Sequence, residues 1–99
     1  MKKTFKLTHE KLNLDRLVDA TRHEIRKYIK RERNRVLPKG ADFWDFDCRF
    51  GADEANSEVI HLSAIDSSIN QALSEQLSSF YLEIIAKPGY RKAKPDAAE

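Results

Sequence analysis

Arginine and lysine side chains recur every three or four positions in one segment of the chain, from Leu14 to Val36. A helix over this segment aligns them in two neighbouring stripes, which are Arg22, Arg26, Lys30 and Arg33, and beside them His23, Lys27, Arg31 and Arg35. Such rows of cations can follow the phosphates of a nucleic acid, because each contact releases a counterion. Arginine is the more frequent cation here, and its planar guanidinium suits phosphate and carboxylate groups.

We therefore predict a binding function for this face, with nucleic acid (RNA or DNA) or an acidic protein as the partner. The residues assigned to the contact are Arg22, Arg26, Lys27, Lys30, Arg31 and Arg33. The alternative is an ordinary surface helix whose charges are solvated or paired along its own length. Residues 1–39 hold 13 basic and 5 acidic residues, a net charge of +8, whereas residues 40–86 hold 1 and 9, a net charge of −8. A separation this strong favours oriented binding.

A second group of polar side chains is expected on one face of a sheet. If a regular hairpin pairs Phe50 with Glu58, then Asp47 lies opposite His61. The residues that share this face are Asp45, Asp47, His61, Glu83 and Lys87, together with Tyr81 and Ile85. Carboxylates beside an imidazole can hold a divalent metal, but cross-strand pairing of ordinary polar residues also explains the pattern. Since the group contains one histidine, we predict no metal site.

Motifs for other kinds of chemistry are missing from the sequence. The single cysteine, Cys48, lies in the inward register between Phe46 and Phe50, which indicates a core residue and not a nucleophile. The three glycines are scattered and form no phosphate loop, and the acidic run at residues 53–56 lacks the spacing of a calcium loop. We predict a protein that is not an enzyme and needs no cofactor.

Two helices and four strands are predicted to position these side chains. A long helix runs from Leu14 to Val36, both on its buried stripe, with Asn13 as its N-cap and Leu12 stapled onto Leu17. A second helix follows a cap at Ser63. Its buried stripe consists of Ile65, Ile69, Ala72, Leu73 and Leu77. The strands cover residues 4–7, 43–50, 59–62 and 80–86, and Pro88-Gly89 ends the last one.

The order of these elements is β-α-β-β-α-β, which is typical of the ferredoxin-like arrangement. We predict an α+β fold with a four-stranded antiparallel sheet, both helices on one face and the other face open. Residues 1–89 form this single domain, and residues 90–99 form a disordered C-terminal tail.

The open face of the sheet offers a second function hypothesis. RNA-recognition sheets display two or three stacking aromatic residues there, and only Tyr81 and, near an edge, Phe43 qualify in this sequence. The helix face is therefore the better candidate for a nucleic acid. The open face, with Ile85, Val59 and Tyr81, favours instead a homodimeric structural or protein-interaction module.

Three runs of the sequence carry a resemblance to a known family. They are YIKRER at residues 28–33, DFWDFDCRFG at 42–51 and FYLEIIAKPG at 80–89. The chain resembles a family of small bacterial proteins of unknown function, which implies a bacterial, cytoplasmic origin but no activity and no site residues. No apolar h-region follows the basic start, and no apolar run is long enough for a membrane span. We therefore expect a cytoplasmic protein without a membrane partner.

Overall fold

The computed structural model describes residues 1–8, 11 and 13–91 of the 99-residue chain, so residues 92–99 of the predicted tail lie outside the described residues. The described elements are β1 (Lys2–Lys6), α1 (Leu14–Arg33), β2 (Phe43–Gly51), β3 (Glu58–Ile60), a 3-10 turn (Leu62–Ala64), α2 (Ile65–Ser74) and β4 (Ser79–Gly89). Within this part of the chain, the predicted α+β class is confirmed, with a four-stranded antiparallel sheet and two α-helices.

The strands lie in the order β1-β4-β2-β3. The predicted ferredoxin-like arrangement is wrong, because that fold places its first and third strands at the centre of the sheet. Here the centre belongs to β2 and β4, the longest described strands, with 9 and 11 residues. β1 carries three lysines and β3 has only three residues, and lysine-rich or short strands suit an exposed edge. Strand length and charge thus favour this strand order. The succession of elements along the chain does not determine it.

The core lies between the inward face of the sheet and the buried sides of both helices. β4 contributes Phe80, Leu82 and Ile84, all fully buried. The Phe80 ring stacks on Phe5 with 5.3 Å between ring centroids and on Phe50 with 4.9 Å, so three strands meet at one aromatic cluster. The predicted inward sets of β2 and β4 are confirmed, as is the stripe of α2.

α1 begins where the sequence predicts. The side chain of Asn13 accepts a hydrogen bond from the backbone N–H of Arg16 at 2.9 Å, which confirms the predicted N-cap. The fully buried positions of the helix are Val18, Thr21 and Ile25. Leu14, predicted to be buried, is exposed because the stripe starts one turn later. The predicted staple partner Leu12 lies outside the described residues.

The same helix ends at Arg33, three residues before the predicted end at Val36. The cause is a contact with the sheet, since the backbone carbonyl of Arg35 accepts a hydrogen bond from the indole N–H of Trp44 at 2.9 Å. This bond draws the chain toward the start of β2. Val36, predicted on the buried stripe, is left 93% exposed.

The connection from β3 to α2 also differs from the prediction. β3 ends at Ile60, and Leu62, predicted to be in the strand, begins the 3-10 turn. His61 caps this turn, because its Nδ1 atom accepts a hydrogen bond from the backbone N–H of Ser63 at 3.1 Å. Ser63 therefore lies inside the turn and does not cap α2, which starts at Ile65.

β4 continues three residues beyond Ala86, through the Pro88-Gly89 pair that is predicted to end it. Gly89 lies opposite Phe43 in the sheet. A Cβ atom at Gly89 would fall 2.6 Å from the Cζ atom of the Phe43 ring, so only glycine leaves room for the ring to lie against the strand. β1 likewise starts two residues earlier than predicted.

The C-terminus of α2 holds a residue other than glycine in the left-handed conformation. Gln76 has a φ angle of 57°. Two backbone hydrogen bonds close the helix, from Gln76 to the Leu73 carbonyl at 3.0 Å and from Leu77 to the Ala72 carbonyl at 3.1 Å. This is the Schellman arrangement, whose left-handed position is usually glycine. A side chain there costs about 1 kcal/mol, because Cβ crowds the following carbonyl oxygen.

Replacing Gln76 with glycine is expected to raise the free energy of unfolding by about 0.5 kcal/mol, because relief of this strain outweighs the extra freedom of the unfolded chain. The matched control is Ser74→Gly in right-handed helix, which should lower the free energy of unfolding by about 0.5 kcal/mol. Urea titrations measure both changes. A Gln76→Gly variant less stable than wild type would contradict the assigned strain.

Candidate nucleic-acid interface

A groove runs along the C-terminal half of α1, between that helix and the 3-10 turn. Its volume is about 450 Å³, and its lining residues are Arg26, Ile29, Lys30, Arg33, Asn34 and Leu62. Ile29 and Leu62 give it an apolar floor, which the three cations border. A smaller cavity of about 130 Å³ extends it toward the middle of α1, where Arg22 and Asp66 are among the lining residues. We call the larger space the basic groove.

The cations of the basic groove have no acidic partner within the part of the chain that the structure describes. Among the described residues, Arg26, Lys30 and Arg33 form no ion pair. The guanidinium of Arg33 lies 5.6 Å from the centroid of the Phe46 ring, a contact that places its charge beside β2. Lys27, in the neighbouring stripe, is exposed and likewise forms no ion pair within the described part of the chain. The fold therefore brings three of the six predicted residues into one groove and leaves a fourth beside it.

Arg22, the first residue of the same stripe, connects the two helices. Its Nη2 atom donates a hydrogen bond to the side-chain oxygen of Asn70 at 2.6 Å, and its Nε atom lies 3.5 Å from a carboxylate oxygen of Asp66. The second contact is an ion pair without hydrogen-bond geometry, because the buried Nε atom has no hydrogen-bond partner. Arg22 thus has a structural role that its spacing does not reveal.

Arg31 and Arg35, in the neighbouring stripe, share one carboxylate. The side chain of Glu32 lies 4.0 Å from the Nε atom of Arg31 and 2.7 Å from the Nη1 atom of Arg35. The guanidinium of Arg31 lies over the Tyr28 ring at 5.5 Å, and that of Arg35 over the Trp44 ring at 5.1 Å. These contacts fix the last turn of α1, where basic residues also suit the negative end of the helix dipole. Arg31 is therefore a weaker candidate for ligand contact than the cations of the basic groove.

The open face of the sheet, away from the two helices, holds paired polar residues. Arg49 lies opposite Val59, as the predicted hairpin requires. Asp45, Asp47 and His61 are among the residues that line a cavity of about 400 Å³. Two of these side chains are already engaged, since His61 caps the 3-10 turn and Asp47 accepts a hydrogen bond from Lys87 at 2.7 Å. Among the described residues, no three metal-ligating side chains form a cluster. Cross-strand pairing accounts for the pattern.

Tyr81 is not available on this face, so its expected exposure is wrong. It is 5% exposed, and its hydroxyl donates a hydrogen bond to Glu83 at 2.8 Å. Gly51 lies opposite Tyr81, and a Cβ atom there would fall 2.6 Å from the Cα atom of Ser57, so the end of β2 is closely packed at this position. Burial, then the hydrogen bond and negative charge of Glu83, raise the pKa of Tyr81 to about 12.

A cavity of about 340 Å³ lies near the C-terminus of α2 and has the opposite charge to the basic groove. Glu58 and Glu75 are among its lining residues, and no basic residue of the described chain lines it. Gln71 donates a hydrogen bond to Glu75 at 3.0 Å across its border. The molecule thus has a basic groove beside the 3-10 turn that precedes α2 and an acidic cavity near the C-terminus of α2.

These features define a small α+β protein with a basic groove beside its long helix. The chain belongs to a family of unknown function (DUF6172), whose model matches residues 1–95. Neither a curated protein nor a solved structure matches the chain. None of the helices in the described part has the length and apolar character that crossing a membrane requires.

The floor of the basic groove is the part of the site that sequence reasoning misses. Ile29 belongs to the predicted apolar stripe, and the only sign of another role is its position between Arg26 and Lys30 in the sequence. Leu62 belongs to a predicted strand, and it reaches the groove because His61 turns the chain into a 3-10 turn. A histidine two residues before a serine is too common a pattern to predict that turn.

Arg22→Ala is expected to lower the free energy of unfolding by about 1–2 kcal/mol, because it removes a charge-assisted hydrogen bond and an ion pair between the helices. The control is Arg26→Ala, one turn later in the same stripe, which should change stability by less than about 0.5 kcal/mol. Chemical denaturation measures both. Equal losses of stability in the two variants would contradict the structural role assigned to Arg22 but not to Arg26.

Cys48 is 1% exposed, and burial raises the pKa of its thiol to about 11, with a further contribution from the charge of Asp47. Because the folded state disfavours the thiolate, the native protein is expected to resist Ellman's reagent at mildly alkaline pH. The thiol should react stoichiometrically once the protein is unfolded in denaturant. Rapid stoichiometric labelling of the native protein would contradict the assignment of Cys48 to the core.

Proposed function

We propose that the protein binds nucleic acid, RNA or DNA, through Arg26, Lys30 and Arg33 of the basic groove and the adjoining Lys27. The observation that carries the proposal is the contrast between partnered and unpartnered cations on one helix. Arg22 is paired with Asp66, and Arg31 lies at the edge of the Glu32–Arg35 ion pair, whereas the groove residues have no acidic partner among the described residues. Like charges three and four positions apart destabilise a helix by about 0.2–0.5 kcal/mol per pair. A polyanion in the groove relieves that repulsion.

The proposed contacts are to phosphate groups, without a catalytic step. Four neutralised phosphates predict that the logarithm of the binding constant falls against the logarithm of the salt concentration with a slope of about −2.8 for single strands and about −3.6 for duplex DNA. Phosphate contacts position a nucleic acid but carry no sequence information. We therefore propose sequence-independent binding, in a cytoplasmic protein.

The alternative function, a homodimer formed through the open face of the sheet, has less support. Ile85 and Val59 are exposed there, but Ile85 lies opposite Asp47 and Val59 opposite Arg49, so their apolar surfaces are separated by charges. Tyr81, on the same face, is buried and offers no surface to a partner. Light scattering tests this alternative, and a strict monomer at high protein concentration would exclude it.

The double variant Arg26→Glu/Lys30→Glu tests the proposed function. Fluorescence anisotropy with labelled RNA and DNA oligonucleotides, over a range of salt concentrations, should show weaker binding than wild type. The slope should also become shallower by about 1.4 to 1.8, because two phosphate contacts are lost. A wild-type slope near zero would overturn the proposal.

The matched control is Lys2→Glu/Lys6→Glu, which changes the net charge equally. Both lysines are exposed on β1 and form no ion pair within the described residues. The control should bind nucleic acid nearly as well as wild type, whereas equal losses would indicate an effect of net charge alone. Polyglutamate is the second probe. If it binds to the groove and nucleic acid does not, the partner is an acidic protein and the nucleic-acid proposal is wrong.

A further inference from the structure

We propose that the protein self-associates head to tail, with the acidic turn of one copy seated in the basic groove of the next. The acidic turn consists of residues 52–56, between β2 and β3, and carries Asp53 and Glu54. This inference goes beyond the proposed function and does not depend on it, because both surfaces belong to this chain. A groove that holds the turn is closed to phosphates, so self-association competes with the proposed binding of nucleic acid.

The acidic turn is a projection of fixed shape, and all five of its residues are exposed. The side-chain oxygen of Asp53 accepts hydrogen bonds from the backbone N–H and the side-chain amide of Asn56, at 2.9 and 2.8 Å. Behind the turn, the hydroxyl of the buried Ser57 donates a hydrogen bond to the Glu54 carbonyl at 2.8 Å. Arg49 in turn donates to the Ser57 carbonyl at 2.6 Å. A projection that is already ordered can enter a groove at little cost in conformational entropy.

The negative charge of the acidic turn is not neutralised within the described part of the chain. Arg49 is the only basic residue among residues 40–86, which hold nine acidic ones. Its guanidinium bonds to Ser57 and forms no ion pair with a described residue. Asp53 and Glu54 likewise form no ion pair there. The field of these carboxylates therefore acts on cations of another molecule.

The acidic turn and the basic groove are complementary in shape and chemistry. The groove is a concave space of about 450 Å³, in which three cations border an apolar floor. The turn reverses this arrangement, since it projects and places its two carboxylates between Ala52 and Ala55. A guanidinium can donate two parallel hydrogen bonds to one carboxylate, and Arg26 and Arg33 each bring one to the groove. The alanine methyl groups suit the apolar floor.

The acidic turn of a molecule does not reach the basic groove of the same molecule. None of residues 51–58 lines the groove or the smaller cavity that extends it. The guanidinium of Arg33 lies over Phe46, whereas β2 continues five residues further, to Gly51. At about 3.3 Å per residue, this distance along the strand is about 17 Å. Contact between the two surfaces therefore requires a second copy of the chain.

Two different surfaces form this contact, so association does not end with a pair of molecules. Each pair keeps one free turn and one free groove, which allows further copies to add. Ion pairs between exposed side chains are weak, and we therefore expect self-association at high protein concentration and low salt. A homodimer formed through the open face of the sheet would instead stop at two copies.

Two variants that each lose one surface and keep the other test the inference. Arg26→Ala/Lys30→Ala removes two cations of the groove, and Asp53→Asn/Glu54→Gln removes the charges of the turn while keeping the side-chain oxygen that closes it. In sedimentation equilibrium at low salt, wild type should form dimers and larger species. Each variant alone should associate about tenfold more weakly, because two ion pairs are lost. An equimolar mixture of the two should regain the wild-type affinity but stop at pairs, since one intact turn and one intact groove remain.

Salt and a surface control separate this contact from other kinds of association. Raising the ionic strength from about 0.01 M to about 1 M shortens the Debye length from about 30 Å to about 3 Å and should leave wild type monomeric. Val59→Ala/Ile85→Ala changes the open face of the sheet and should associate as wild type does. A wild type that is strictly monomeric at low salt, or a mixture no more associated than its two components, would overturn the inference. Both outcomes leave the proposed function intact, because nucleic-acid binding is measured at low protein concentration.

Cross-linking tests the same contact without a variant. At low salt, a carbodiimide should join Lys30 of one copy to Glu54 of another, and mass spectrometry should identify the linked peptides. In a mixture of isotope-labelled and unlabelled protein, these linked peptides should combine the two forms, because they come from different copies. Links between copies that never include the acidic turn would contradict the proposed contact.

Discussion

β4 is the last described element of the chain, yet it forms hydrogen bonds with β1 on one side and with β2 on the other. Its inward side chains Phe80, Leu82 and Ile84 are fully buried, so this insertion also completes the core. β4 lies between β1 and β2, so the connection through α1 passes over β4. In the same way, the connection from β3 to β4 through α2 passes over β2. These two crossings bring the start of α2 and the preceding 3-10 turn beside the second half of α1, and the basic groove lies between that half and the turn.

The basic residues within and just after α1 differ in the contacts that they make. Arg22 joins the helix to α2 through Asn70 and Asp66. Arg31 and Arg35 share a carboxylate and cover two aromatic rings, and these contacts hold the end of the helix to the sheet. The cations of the basic groove form no ion pair within the described residues. Residues of one charged helix can therefore differ in whether the fold engages them.

The sequence predicts well those features that depend on local spacing. The alternation of apolar residues in β2 and β4 predicts which side chains face the core, and Asn13 predicts the start of α1. The strand order could not be predicted, because the same succession of elements suits more than one sheet. The end of α1 could not be predicted either, because the chain just after it, at Arg35, bonds to an indole nine residues further along.

The same limit applies to the candidate site. Helical spacing predicts that Arg22 and Arg26 share a stripe, but only the packing of α2 shows that one of them is engaged. The decisive partner, Asn70, is 48 residues distant in the sequence. The stripe can thus be predicted from the sequence, whereas the separate roles of its residues depend on contacts between distant segments.

Trp44 is the only tryptophan of the chain, and its indole joins the end of α1 to the start of β2. Fluorescence excited at wavelengths that tyrosine does not absorb therefore originates at this one contact, between a hydrogen-bonded indole and an arginine.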